Sequence, residues 1–224
     1  MAYDFDAHTG VAFADLFAGV GGFAAALTPM GANHAYAVEI DKAAAAVYEA
    51  NWRHRALGDV TKDASDAGVS VPAHDIITGG FPCQPFSKSG AQRGMEETRG
   101  TLFWHIEKIV RERKPTLVCL ENVRNLAGPR HIHEWEVIIR ELRAHGYQVS
   151  ETPAIFSPHL IDPRFGGAPQ VRERVFITAT LVPEGHVADP EVAPVRLPAD
   201  VFMEREWDLV SDLPMDRLTR NPWH

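Results

Sequence analysis

The sequence predicts an α/β fold, a mostly parallel sheet flanked by helices with an antiparallel hairpin at its edge. Three observations predict it. Short apolar runs alternate with helix-period segments, which is the signature of βαβ units. The first run opens into a glycine turn and an alanine-rich helix. Two late runs, residues 147–156 and 174–181, lie close enough in the chain to pair antiparallel.

Residues 11–17 read as a buried strand, followed by Gly19-Val20-Gly21-Gly22 and a helix to about Met30, where Gly31 supplies the stop. Residues 35–38 form a second strand ending at Glu39, and residues 42–52 a second helix. A short third strand near Ala56-Leu57 ends at Gly58-Asp59, and a fourth, residues 74–78, leads into the loop around Cys83. The polar, breaker-rich stretch 84–100 reads as a mobile loop. Residues 101–113 have helical periodicity through Leu102, Ile106, Ile109 and Val110. A fully apolar strand, 116–120, ends at Glu121-Asn122-Val123, and a helix over 132–145 is stopped by Gly146. Cys119 lies mid-strand and reads as core.

At 224 residues, 45% hydrophobic and 23% charged, the chain suits one sizeable α/β domain. Two cysteines argue against a disulfide framework, and no leader or long apolar run is visible, so a cytoplasmic, non-membrane protein is expected. Its 17 arginines against five lysines, in an alanine-rich chain, point to a G+C-rich bacterial or phage genome. The net charge of -8 is uneven: residues 184–220 carry nine Asp/Glu against four Arg, leaving -3 for the first 183 residues. A domain over 1–183 followed by an acidic, Pro-rich segment over 184–224 is the expected organisation. The histidines lack partners at metal-ligand spacing, so no metal is expected.

Gly19-Val20-Gly21-Gly22-Phe23-Ala24 satisfies G-x-G-x-x-G/A between a strand and a helix, with Glu39 about 20 residues on. Such a unit holds an adenosine-type cofactor against glycine backbone and a helix N-terminus, the acid meeting ribose hydroxyls. This motif accommodates NAD and S-adenosylmethionine equally. The Gly79-Gly80-Phe81-Pro82-Cys83-Gln84-Pro85-Phe86-Ser87 stretch separates them. Prolines on both sides of Cys83 forbid helix or strand and hold the thiol in a stiff turn at a strand end. A dehydrogenase has no need of that thiol. Methyl transfer to a pyrimidine C5 does, because the ring must first be activated by addition at C6, with a carboxyl group such as Glu121 at N3.

These motifs, in this order, resemble the C5-cytosine methyltransferase family: Asp15-Leu16-Phe17-Ala18-Gly19-Val20-Gly21-Gly22-Phe23, Glu39-Ile40-Asp41, Gly58-Asp59-Val60, Gly80 to Ser87, Arg99-Gly100-Thr101-Leu102-Phe103, Glu121-Asn122-Val123 and Gln170 to Ile177. The resemblance implies a Rossmann-like S-adenosylmethionine-dependent methyltransferase fold. It implies methylation of double-stranded DNA at cytosine C5 by base flipping, of the kind used in restriction-modification, or of tRNA in one branch of the family. Asp15, Phe17, Gly19, Gly21, Gly22, Glu39, Ile40, Asp59, Val60, Pro82 and Leu102 then line the methyl-donor pocket. Cys83 is the nucleophile, Glu121 holds N3 and the exocyclic amine, and Arg174 contacts O2. Arg172 and Gln170 support that geometry, with Ser87 and Asn122 on the substrate side. The likeness covers residues 11–182. The family's variable target-recognition region and closing motifs lie outside this likeness, so the chain is expected to be a split-enzyme subunit completed by a second chain, a truncated product or a fragment, the rival being a remnant that binds the donor or a partner without turnover.

Overall fold

The computed structural model describes residues 10–82, 102–187, 189 and 191–207. Its sheet begins with β1 (Ala12–Leu16), which pairs in parallel with β2 (Asn33–Val38) on one side and with the later strand β5 (Ile76–Gly80) on the other. Strand β1 is therefore where the winding reverses, and a crevice opens beyond the carboxyl ends of β1 and β5. Alternation along β1 decides what each face buries. Ala14 and Leu16 join a large core with Ile77, Phe103, Ile106, Val118 and Ile138, while Phe13 joins a smaller core with Ala24, Tyr48 and Ile76.

The helices stand where the periodicity places them, with local reasons for their ends. The first, α1 (Gly22–Leu27), gives way to a 3-10 turn at Thr28–Met30, and Gly31 then turns the chain at φ 90°. Helix α2 (Lys42–Trp52) is capped by Asp41, whose carboxylate accepts from Ala44 N at 2.8 Å. A one-turn helix, α3 (Val60–Asp63), begins at the Asp59 cap. Helix α4 (Leu102–Arg113) buries Phe103, Ile106, Ile109 and Val110 on one stripe, and α5 (Ile132–Ala144) buries Trp135, Ile138, Ile139 and Leu142.

Three details differ from the sequence reading. The third strand reduces to a single parallel bridge between Glu39 and Leu57, because the chain turns at once into α3. A small hairpin, β3 (Ala64–Ser65) with β4 (Gly68–Val69), follows, two residues per strand being too short for a period-2 pattern to register. The predicted 147–156 strand is broken into β7 (Tyr147–Val149) and β8 (Ala154–Phe156), with Ser150 Oγ accepting from Thr152 N at the bend.

After β5 come β6 (Leu117–Val123), parallel to it, and β9 (Arg174–Leu181), antiparallel to β6 over seven residue pairs. Both β7 and β8 pair antiparallel with β9, which gives the order β2-β1-β5-β6-β9-β7 with β8 also on β9. The reversal at β9 has a functional consequence. Its first residue, Arg174, lies opposite Val123, so the start of β9 reaches the same rim as the ends of the parallel strands. Among the described residues no helix is long and apolar enough to cross a membrane.

Residues 201–207 are tied back onto the domain. Ile161 bridges Phe202, Asp162 N donates to Val201 O, Met203 N donates to Leu160 O, and Trp207 Nε1 donates to His159 O at 2.8 Å.

Candidate active site

The glycine turn after β1 is held in a conformation that side chains resist. Phe17 has φ 54°, Gly19 φ 54° and Gly21 φ 97°. A non-glycine residue there is uncommon, and such strain concentrates at functional sites. Gly21 also needs its missing Cβ, since a methyl group would sit 2.0 Å from Trp52 Nε1. That indole, the last residue of α2, donates to Val20 O at 3.3 Å and pins the turn from outside. At Gly19 and Gly22, by contrast, a Cβ would meet nothing within 4 Å. The turn therefore presents bare backbone to open space, a cradle that suits a close-approaching ligand.

Glu39 closes one side of this cradle. Its carboxylate accepts from Gly19 N and from Asp41 N, each at 2.8 Å, so the acid is locked against the turn. Its backbone pairs with Ala56 and Gly58, which brings Asp59 alongside. Hydrogen bonds from the Thr61 hydroxyl and amide hold Asp59 below the ordinary carboxylate range. Ile40 projects into solvent at 72% exposure beside these acids, an apolar surface next to polar anchors. Phe17 and Leu102 pack, partly buried, on the cluster that contains Val60 and Phe81. Hydrogen bonds thus bring the glycine turn, Glu39 and the segment leading to Asp59 together, and packing on one core does the same for Phe17, Val60, Phe81 and Leu102.

Asp15 is placed differently from its neighbours in the motif. It is fully buried, accepting from the Thr78 hydroxyl at 2.8 Å with the Tyr48 hydroxyl also near its carboxyl. Burial pushes its carboxyl up to about 7, against the pull of that hydroxyl.

The second cluster lies at the end of β6. Glu121 is paired in register with Gly80, and a Cβ on Gly80 would lie 3.2 Å from Glu121 Oε2, so the glycine makes room for the carboxylate. Arg174 Nε donates to Glu121 Oε1 at 2.7 Å, the two side chains being 22% and 24% exposed. An acceptor carboxylate and a planar donor therefore sit side by side, half-shielded from water, where the hydrogen-bonding edge of a flat heterocycle could span both. Phe81 is buried against Phe103, with ring centroids 6.2 Å apart, and its carbonyl accepts from Asn122 Nδ2 at 2.9 Å. Asn122 is itself 2% exposed, so it braces the chain entering Pro82 rather than facing solvent. Cys83 and Ser87 lie outside the described residues, as do Lys88 and Arg93 of the same loop.

Gln170 and Arg172 are exposed beside Arg174, in a cleft of about 490 Å³ whose other wall is formed by Arg124 and Asn125. Arg172 N donates to Ser157 Oγ, which in turn bonds His159 Nδ1, so β8 positions the arginine motif. Neither Ser157 nor Trp52 nor Thr78 carries a local signal in the sequence. Each matters only through a partner distant in the chain. Cys119, mid-β6 and opposite Thr78, is free, and burial raises its thiol to about 11. Among the described residues no cluster of three His, Cys, Asp or Glu could hold a metal.

The profile of the C-5 cytosine-specific DNA methylase family matches residues 11–214. The type II methyltransferase M.AluI of Cellulosimicrobium cellulans is 66% identical over 176 residues, covering 77% of this chain and 34% of the relative. M.HhaI of Haemophilus parahaemolyticus is 42% identical over 169 residues, covering 75% and 49%. Among solved structures, a protein encoded in an E. coli prophage and assigned as a DNA modification methyltransferase superposes with a TM-score of 0.59 at 25% identity, over 77% of this chain and 47% of its own. The chain spans half or less of the length of each of these proteins.

Proposed function

Because the chain belongs to the C-5 cytosine-specific DNA methylase family, we propose that it carries the catalytic centre for methyl transfer from S-adenosylmethionine to cytosine C5 in double-stranded DNA. The observation that carries this reading is the Glu121–Arg174 pair beside Gly80 and Phe81, two residues ahead of Cys83.

The cradle of Gly19, Gly21 and Gly22, with Glu39, Ile40, Asp59 and the apolar wall of Phe17, Val60, Pro82 and Leu102, would hold the donor. Bound there, S-adenosylmethionine supplies an electrophilic methyl group on a sulfonium centre. Asp15 contributes from beneath, by fixing β1 to β5 through Thr78. On the substrate side, the target base must leave the stack before a thiol can approach its ring face, at a cost of about a few kcal/mol. The thiolate of Cys83 then adds to C6, and the electron pair displaced from the C5–C6 bond makes C5 nucleophilic. The Glu121 carboxyl group faces N3 and accepts from the exocyclic amine, while Arg174 donates to O2, so charge developing on the ring meets fixed partners. Transfer of the C5 proton to solvent water then lets the C5–H electron pair re-form the C5–C6 double bond and expel the thiolate. Gln170 and Arg172 keep the Arg174 strand end in place, and Asn122 keeps the loop entrance in place. Ser87 contributes from the substrate side of the loop.

Target selection is assigned in this reading to a recognition region outside these 224 residues, carried by a second chain or by further residues of the same one. The 34% and 49% shares of M.AluI and M.HhaI that the match spans support that assignment.

A duplex containing 5-fluorocytosine tests the chemistry, because fluorine at C5 blocks the final proton loss and leaves the adduct in place. Incubated with S-adenosylmethionine, the chain should form a denaturation-resistant complex that Cys83→Ala abolishes. Trapping by a fluorocytosine tRNA but not by the duplex would move the activity to RNA. Donor binding without a trapped complex on either would leave a non-catalytic module.

A further inference from the structure

Arg124 follows β6 directly, and its Nη1 donates to both oxygens of Glu173 at 2.8 and 2.7 Å. The pair sits on the rim of the cleft that Gln170, Arg172 and Arg174 also line, three residues past Glu121 on one strand end and one residue before Arg174 on the other. It is poorly suited to bracing the fold. The two side chains are 57% and 38% exposed, and such pairs contribute about 0–1 kcal/mol. One guanidinium nitrogen does all the bonding, so Nε and Nη2 remain available to a second anion. Arg172 stands exposed nearby, its backbone fixed by Ser157. The cleft therefore presents two exposed guanidinium groups, one of them held by a carboxylate that is easily displaced.

Resting on the reading that the substrate is duplex DNA, we infer that Arg124 is a backbone-phosphate contact for the strand carrying the extruded cytosine. Glu173 occupies the phosphate's place until the strand arrives. A phosphate resembles the carboxylate in charge and in its pair of acceptor oxygens, and once Glu173 is displaced it accepts a bidentate bond from Nη1 together with the free Nη2. Phosphate contacts fix the register of a protein on nucleic acid without reading sequence. That is what an extruded base needs beside Glu121 and Arg174, since its sugar and flanking phosphates must be held while the ring is engaged. The exchange also lowers binding, because Glu173 has to be displaced.

The two partners of this ion pair therefore have opposite predicted effects, which a structural pair cannot show. Binding of the 224-residue chain to a fluorescein-labelled, cytosine-containing duplex is measured by anisotropy over a range of salt concentrations. Arg124→Gln should weaken binding about 3–10-fold and reduce the slope of log K against log salt by about 1. Glu173→Gln should tighten it roughly 2–5-fold. Glu112→Gln makes the same charge change in the last turn of α4, which leads into the start of β6 at the opposite rim, and should tighten binding less. Weakening by both Arg124→Gln and Glu173→Gln, an unchanged Arg124→Gln, or equal tightening by Glu173→Gln and Glu112→Gln would overturn the inference while leaving the DNA reading intact. A chain that binds S-adenosylmethionine calorimetrically but no duplex at any salt concentration overturns the DNA reading, and the inference with it.

Discussion

Asn122 Nδ2 donates to the carbonyl oxygen of Phe81 at 2.9 Å, so the end of β6 holds the backbone just before Pro82-Cys83. The same side chain accepts from Val123 N at 2.8 Å, which fixes its amide orientation. The loop entrance is thereby clamped from below by the Phe81 ring in the core and from the side by this bond.

Replacing Asn122 by Asp separates the two bonds. The aspartate still accepts from Val123 N, but it cannot donate to Phe81 O and sets a carboxylate against a buried carbonyl. Loss of that buried bond should cost about 1–3 kcal/mol in urea unfolding. Trapping on fluorocytosine duplex should slow, with donor affinity unchanged in calorimetry.

Gly21 and Gly22 are adjacent but should respond in opposite ways. Gly21→Ala drives a methyl group into the Trp52 indole and strains a φ of 97°, so S-adenosylmethionine affinity should fall at least tenfold and stability by about 1–3 kcal/mol. Gly22→Ala meets open space at the first turn of α1 and should leave stability unchanged or raised by about 0.4–1 kcal/mol. Thermal unfolding with and without donor checks both.

The buried Asp15 imposes a pH dependence on stability. Its carboxyl titrates at about 7 in the folded chain against 3.8 when free, so between those values the folded form keeps a proton the unfolded chain releases. Its contribution is whole below about pH 4 and is lost as pH rises through 7. Asp15→Asn removes that loss. The difference in unfolding free energy between variant and wild type should move in the variant's favour from pH 4 to 8, by an upper limit of roughly 4 kcal/mol at 1.36 kcal/mol per pKa unit. A difference that stays flat across this range would remove Asp15 as its source.

Trp207 ties the acidic segment to the β8–β9 connection through His159 O, next to the Ser157–Arg172 bond. Trp207→Phe keeps the ring but deletes the donor, at about 0.5–1.5 kcal/mol. Amide exchange should rise at Leu160, Asp162, Val201 and Met203 while the amides of β1, β5 and β6 stay protected.

Much of the fold was legible because its signals are local. Apolar runs bounded by Gly and Asp mark β1, β2, β5 and β6, and Asp41 and Gly31 mark helix ends, since capping and left-handed backbone depend on single residues. The acids that terminate strands were legible too, because parallel strands deliver their carboxyl ends to one crevice. The bridge that replaces the third strand, and the break at Ser150–Pro153 that divides β7 from β8, were not legible, since both depend on how few residues find partners across the sheet.

The sequence by itself determined which chemistry the chain is equipped for: a glycine cradle, a thiol between prolines, and a carboxylate and arginines at motif spacing. Only the tertiary structure decided how these residues are shared out. The antiparallel course of β9 carries Arg174 back to Glu121, the strand alternation turns Asp15 inward to Thr78 while Glu39 closes on Gly19, and Asn122 becomes a brace instead of a contact. Within the acidic segment, which composition alone marks as leading away from the domain, Val201 and Met203 bond back to Asp162 and Leu160. The physical reason is the same in each case. Hydrogen bonds and ion pairs between residues tens of positions apart follow from strand direction and register, and those are properties of the assembled sheet.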